Sequence, residues 1–410
     1  MPPSVFNLAT SLHLRYNQYH AFISGNPMPL DYLGLQSQIK KFSVDTFSYR
    51  EHIQTQTRQA MDVLHSLAEK LEKVHEIGKT LSGRFALPTE EDPAGTFSKP
   101  PLKQPCNIIS VDGSQIAPDA HAFLLYALLN IGIFRFPANP SQSIEPITIS
   151  KLYQHKELFS KNTLISEDLL NLDRDVLEMK YLAEYGARME FPSIALRDGL
   201  LELYHEPHHE KEFQERFSAY IEFMRNCADK NLIIAGYVDK PRSNPLVSLL
   251  DAVESKKNNL TGGSSLFPDL LDRHIFAEIL APGQRSAIYE NHSPTTYPKD
   301  VQLFFFYLNV SQTEKPWTVR VEIPIWVKND PQKVNLLHTT LLDQCAIMGA
   351  KPYPYCLHRA HETAVVQHID KEELENQIFS GYIQNGIHLD AKSHKQAAKD
   401  LANRKNTEKK

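Results

Sequence analysis

Apolar residues recur every three or four positions between residues 50 and 80, at Ala60, Leu64, Leu67, Leu71 and Val74, with charged residues between them. That spacing lays one apolar stripe along a helix and predicts an amphipathic element. No glycine or proline interrupts it before Gly78, so it is long enough to form a hairpin or meet a partner helix, with packing on its own domain the simpler expectation. The next stretch, PTEEDPAGTFSKPPLKQP, crowds proline and charge and reads as a linker or exposed loop. From Asn107 the pattern changes. Ile108, Ile109 and Val111, then the apolar and aromatic run His121 to Phe136, then Ile147 to Ser150, predict consecutive antiparallel strands.

A helix signal returns at Ser166-Glu167-Asp168, continues through Val176, Leu177, Met179, Leu182 and Ala187, and stops at Pro192. The short run Ile194 to Leu196 follows, then a second amphipathic stretch from Lys211 to Lys230, then the apolar run Leu232 to Val238. Strand, helix and strand in that order predict a βαβ unit with parallel pairing. Residues 251 to 300 read as loop-rich, and their TGGSS segment lacks the lysine and spacing of a phosphate-binding P-loop. VQLFFFYLNV and WTVRVEIPIWV read as a pair of strands, on which Arg320 and Glu322 share one face by the two-residue period. From Asn385 the chain is polar and lysine-rich, as expected of a frayed or disordered tail.

Composition narrows the classes. The chain has 410 residues, 41% hydrophobic and 23% charged, which suits a folded protein with a sizeable core. No apolar run approaches the roughly 20 residues that cross a bilayer, and the first residues lack the basic and apolar segments of a secretion signal. No membrane association and a cytoplasmic location are therefore expected. The four cysteines, Cys106, Cys227, Cys345 and Cys356, have no CxxC spacing and are read as core thiols. A formal charge of −5 excludes coating of nucleic acid through bulk positive charge, but leaves room for an enzyme with a local basic channel.

The candidate chemistry is carboxylate chemistry. Asp112 and Asp198 each follow an apolar run and precede a glycine, which reads either as a turn or as a carboxylate projecting beyond the end of a strand. With a helical carboxylate they would make an oxygen cluster suited to Mn²⁺ or Mg²⁺. The preceding helix offers Glu178, Glu184 and Glu190. Glu178 lies in the most apolar part, where a carboxylate needs a partner or a metal to offset burial. In PYPYCLHRAHETAVVQHI, His358 and His361 fall on neighbouring faces of a helix beginning near Leu357, and His361 is a candidate ligand or proton carrier. Lys240 and Arg242, in VDKPRS, are candidates for phosphate contact or for a solvated turn. No zinc motif or serine-nucleophile elbow is present.

The ordered set VDGSQIAPDAH, a helical glutamate about twenty residues before RDGLLEL, GYVDKPRS, RVEIP and YPYCLHRAHETAVV resembles the NurA nuclease family over residues 105 to 382. The resemblance implies an α/β fold, an RNase H-like mixed β-sheet flanked by helices, here with an added N-terminal helical region. It implies a manganese-dependent 5′ to 3′ exonuclease and single-strand endonuclease, with magnesium as the other candidate cofactor. Such a nuclease acts on DNA as a homodimer with a HerA-type hexameric ATPase in double-strand-break end resection. Residue by residue, the family's catalytic and metal-binding positions fall on Asp112, Glu178, Asp198 and His361, and its basic DNA-binding positions on Lys240 and Arg242. Asp239 beside Lys240, and the leucine after Asp198-Gly199, depart from the family pattern.

The expected organisation is a helical region and linker over residues 1–100, a NurA-like nuclease domain over 105–382 and the polar tail over 385–410. Two other readings remain open: an adaptor that docks on the ATPase without cleaving, and a metal phosphohydrolase acting on small phosphate esters.

Overall fold

The computed structural model describes residues 30–386, apart from 102–103, 121, 123, 145, 161–162, 191, 204–209 and 258–264. The TGGSS glycines, the first residues of the chain and the tail from residue 387 lie outside the described residues. The chain divides into two units, residues 1–56 and 57–410. In the first unit the described structure is helical and belongs to α1 (Tyr32–Leu67). Phe42, Val44 and Phe47 of this unit are exposed.

In the second unit, α1 ends with Ala60, Leu64 and Leu67 buried, as their spacing predicts, and α2 (Leu71–Gly78) follows with Val74 buried. The sheet then begins earlier than the sequence suggests. β1 (Phe85–Pro88) leads into the stretch read as linker, and that stretch itself adds β2 (Thr96–Phe97). Next come β3 (Asn107–Ile116), β4 (Ala127–Phe136), β5 (Pro146–Tyr153) and a small hairpin of β6 (Phe159–Ser160) and β7 (Thr163–Leu164). α3 (Glu167–Gly186), β8 (Ser193–Asp198), α4 (Glu210–Asp229) and β9 (Ile233–Val238) form the middle of the chain.

Residues 251–300 are not the loop expected. They hold part of α5 (Pro245–Lys257), then α6 (Asp272–Ile279), β10 (Arg285–Ser286) and β11 (Tyr289–His292). α6 is short, and buried Asp272 anchors it: its carboxylate accepts from the backbone of Leu246 and Val247 and from the Tyr307 hydroxyl. Burial pushes this carboxyl up to about 6. The chain finishes with β12 (Leu303–Asn309), β13 (Thr318–Pro324), α7 (Ile325–Lys328), α8 (Pro331–Ile347), α9 (Tyr355–Ala364) and α10 (His368–Gln384).

The main path of the sheet runs β1-β11-β12-β13-β9-β8-β3-β4-β5. β3, β8 and β9 are parallel to their neighbours in this trio, and β4, β5 and β13 are antiparallel to theirs. This is an RNase H-like mixed sheet flanked by helices. The central strands are apolar on both faces because both faces are covered. On one side α3 and α4 bury Met179, Leu182, Tyr220 and Met224 against Ile109, Val111 and Ile234. On the other, α8 and α9 bury Leu337, Leu341, Leu357 and Ala360 against Ile108, Leu196 and Val321. All four cysteines are buried free thiols.

Candidate active site

Asp112 does not end its strand. β3 continues through Gly113 to Ile116, with Asp112 opposite Gly132 and Gly113 opposite Ile131 of β4. The Asp-Gly pair is therefore not a turn here, and its glycine serves another purpose. Successive strand residues point to opposite faces. A Cβ on Gly113 would stand 2.8 Å from Glu178 Oε1 and 2.6 Å from Arg174 Cγ, so its absence lets α3 place these side chains against the strand. A Cβ on Gly132 would stand 2.4 Å from the Ala364 amide nitrogen and 2.6 Å from the Ala360 carbonyl oxygen, so its absence lets α9 lie on the sheet. Ser114 Oγ and Asn130 Nδ2 both donate to the Ala364 carbonyl, at 2.5 and 2.8 Å, and pin that helix end.

On the α9 face, His361 Nδ1 lies 2.7 Å from Asp112 Oδ2. The imidazole is largely exposed while the carboxylate is mostly covered. Asp198 stands at the end of β8, where Gly199 turns the chain at φ +88° and its amide donates to the Tyr237 carbonyl. Asp198 is exposed, although protein atoms crowd around its carboxyl. Burial pushes its pKa up, the nearby Tyr353 hydroxyl pulls it down, and the charge of Asp112 pushes it up again. Burial and Asp198 in turn raise the Tyr353 hydroxyl. Asp112, Asp198, Tyr353 and His361 thus share one neighbourhood.

Glu178 is held differently. It is buried, and Arg197 Nε donates to its Oε2 at 2.9 Å. Arg197, also buried, reaches Asp175 Oδ1 at 2.5 Å and donates to the Leu200 carbonyl. Arg174 Nε is 3.5 Å from Glu178 Oε1. Burial raises the Glu178 carboxyl to about 7, against the pull of Arg197; Asp175 pushes it up and Arg174 pulls it down. Burial also opposes the charge of Arg197, but Asp175, Tyr220 and Glu178 more than offset that. The buried glutamate has found its partner, and the partner is guanidinium. The alternatives on the helix sit elsewhere: Glu184 is exposed beside Lys180 at 3.7 Å, and exposed Glu190 follows the end of α3.

Lys240 and Arg242 are exposed just beyond β9, which pairs in parallel with β8 and so ends on the same side of the sheet as Asp198. Asp239 is occupied as the acceptor of Trp317 Nε1 at 2.8 Å, and Lys240 Nζ lies 5.4 Å from the centre of that ring. Arg320 and Glu322 form the buried strand pair expected of them, at 2.6 Å, and Glu322 Oε2 accepts from the backbone of Leu201 and Glu202 in the loop after Asp198.

Two carboxylates and an imidazole are the donor chemistry of a divalent cation site for manganese or magnesium. Asp112, Asp198 and His361 fit such an ion on those grounds. Among the described residues, no three His, Cys, Asp or Glu side chains already stand in a chelating arrangement, and both arginines compete for Glu178. Tyr353, Arg174 and Arg197 were not singled out from sequence. Tyr353 lies within the PYPY stretch of the terminal motif and Arg197 within RDGLLEL, whereas Arg174 carried no local signal.

The sheet and its acidic side chains define an α/β protein of the RNase H-like class. A family model described as NurA domain matches residues 106–366, more than half the chain, and the chain belongs to the NurA family, a nuclease family. Among solved structures, the NurA nuclease from Sulfolobus solfataricus is 12% identical, with 85% of this chain and 98% of that one covered at a TM-score of 0.49. The catalytic domain of human Endonuclease V is 14% identical, with 76% and 96% covered at 0.30. Aquifex aeolicus Argonaute is 10% identical, with 64% and 28% covered at 0.28. Likenesses of this size carry no functional argument. No curated protein matches in sequence.

Proposed function

We propose that the chain is a metal-dependent deoxyribonuclease whose reacting groups are Asp112, Asp198 and His361. The observation that supports this most is the 2.7 Å contact of Asp112 with His361 in the neighbourhood of Asp198. In this reading Asp112 and Asp198, with His361, would hold manganese or magnesium. The ion supplies stabilisation of charge on the attacking and leaving oxygens of the phosphodiester. His361, oriented through Nδ1 by Asp112, moves a proton at Nε2 or contributes that nitrogen as a ligand. Tyr353 steadies Asp198 through its hydroxyl. Glu178, engaged by Arg197, packs against the Gly113 backbone of β3 from the opposite face. Lys240 and Arg242 meet the DNA backbone beyond β9.

We extend the reading to a 5′ to 3′ exonuclease and single-strand endonuclease, a cytoplasmic homodimer that receives DNA from a HerA-type ATPase during end resection. The acidic net charge supports delivery by a motor over unaided search. A docking adaptor without cleavage is the second reading, favoured by the engagement of Glu178 with two arginines.

The test is cleavage of end-labelled DNA with Mn²⁺, Mg²⁺ or EDTA, alone and with the ATPase, beside Asp112→Ala. Cutting that needs metal and vanishes in the variant is the expected result. Full cutting by the variant would falsify the proposed site, and silence of both proteins even with the ATPase favours the adaptor. Cutting confined to small esters moves the reading to a phosphohydrolase.

A further inference from the structure

Arg174 lies on α3 one turn before Glu178, and its aliphatic stem crosses the bare backbone of Gly113, next to Asp112. Its polar contacts are long. Nε lies 3.5 Å from Glu178 Oε1 and is buried without a hydrogen-bond partner. Nη2 is 3.8 Å from Asp175 Oδ1, and Nη1 donates to Gln115 Oε1 at 3.4 Å. Charge-assisted hydrogen bonds run at about 2.7–2.9 Å, so none of these is tight. Arg197 contacts the same two acids at 2.9 and 2.5 Å. The carboxylates of Asp175 and Glu178 therefore have their close partner, and Arg174 is surplus cation. Its side chain is 28% accessible, so it is neither sealed in the core nor free in solvent.

We propose that Arg174 binds a backbone phosphate of the nucleic-acid strand entering the site, on the face of β3 opposite Asp112 and where β3 runs past its last pair with β8. The inference rests on the nuclease reading and adds a substrate contact to it. A guanidinium offers five N–H donors in a planar fork that matches phosphate oxygens. The long contacts to Glu178 and Gln115 are weak enough to exchange for it, while the stem stays seated on Gly113.

The test is the salt dependence of binding, which reads phosphate contacts without requiring cleavage. A fluorescent single-stranded oligonucleotide is titrated with the full chain in EDTA across a sodium chloride series. Wild type is compared with Arg174→Gln, Arg174→Lys and Lys180→Gln. Lys180 is a second cation of the same helix, paired with Glu184. Loss of one phosphate contact lowers the slope of log K against log salt by about 0.7 for single strands. That drop is expected for Arg174→Gln, with affinity reduced about tenfold. Arg174→Lys keeps the slope and loses part of the affinity, and Lys180→Gln changes neither. Arg174→Met, which keeps the stem on Gly113, replaces the glutamine variant if that one does not fold.

An unchanged slope in Arg174→Gln or Arg174→Met, or an equal drop in Lys180→Gln, overturns the proposal, as does absence of oligonucleotide binding by wild type. Wild type that cleaves with an unchanged Arg174→Gln slope sinks only the Arg174 contact. Wild type that binds with the expected slopes but never cleaves, with or without the ATPase, leaves the contact standing and sinks the nuclease reading.

Discussion

His361 Nδ1 and Asp112 Oδ2 stand 2.7 Å apart although 249 positions of chain separate them. A carboxylate on Nδ1 fixes the ring and leaves Nε2 as the nitrogen available to a proton or a ligand. On the reading proposed above, His361→Ala lowers the single-turnover rate of metal-dependent cleavage by about a hundredfold or more. The melting temperature stays near that of wild type because the ring is mostly exposed. Rates within a factor of two of wild type would assign the proton or ligand role to another group.

Gly132→Ala tests how α9 is seated. The added methyl meets backbone atoms of Ala360 and Ala364, which cannot rotate away, so the helix carrying His361 must shift. Overpacking of this kind costs about 1–3 kcal/mol. Gly113→Ala meets the flexible Arg174 and Glu178 side chains instead and is the milder change. Denaturant midpoints of the two variants should fall in that order, and equal midpoints would show that α9 yields as easily as a side chain.

Glu178→Gln leaves the buried guanidinium of Arg197 with less negative charge. Breaking one side of a buried ion pair costs about 3–5 kcal/mol, whereas replacing both partners with apolar groups costs much less. Asp175 still faces Arg197, so the lower end of that range is expected for Glu178→Gln. A double-mutant cycle with Glu178→Leu and Arg197→Met is expected to give a coupling of about 1 kcal/mol or more. Additive effects would mean that Asp175 alone satisfies the arginine.

His338 provides a pH readout away from the site. It is fully buried on α8, Nε2 lies 2.9 Å from the Gly283 carbonyl and therefore donates to it, and Nδ1 has no partner. Burial pushes its pKa down to about 4. An unfolded histidine titrates near 6.5, so the unfolded chain binds the extra proton first as pH falls. Its contribution is thus complete above about pH 6.5 and is lost toward pH 4, to a total of about 3 kcal/mol. Glu178 and Asp272, with raised values, change stability in the opposite sense over part of this window. The comparison with His338→Gln isolates the histidine: glutamine can still donate to Gly283, so the variant gains stability relative to wild type as pH falls from 7 to 4. A constant difference across that range would remove His338 as the titrating group.

Much of the sheet was legible because its strands are continuous apolar runs; Leu303–Asn309 is buried at every position. Ser166 likewise marked a helix start, and its hydroxyl accepts from the Leu169 amide at 3.2 Å. Asp112 was harder to place, since Asp-Gly has the same local chemistry in a turn and in a strand crossed by α3. Only the packing of a helix distant in sequence decides between them. The same holds for Glu178: its apolar setting announced a need for compensation, but the compensating Arg197 sits on β8, where no periodicity links the two. α6 escaped detection because its stability depends on Asp272 meeting residues of α5 and β12, contacts that leave no local pattern.

The clamp on the Ala364 carbonyl also orders events in time. Ser114, on β3, and Asn130, on β4, wait for an acceptor made more than two hundred residues later, and Asn130 is itself braced by Ser150 of β5 at 2.7 Å. At about 5–20 residues per second, a ribosome that has made Asp112 needs on the order of 10 to 50 seconds to reach His361. From Asp198 onward in that interval, a nascent chain carries both carboxylates without the imidazole. On the reading proposed above, a growing or prematurely ended polypeptide is inert, and reactivity arrives only with the last helices of the domain.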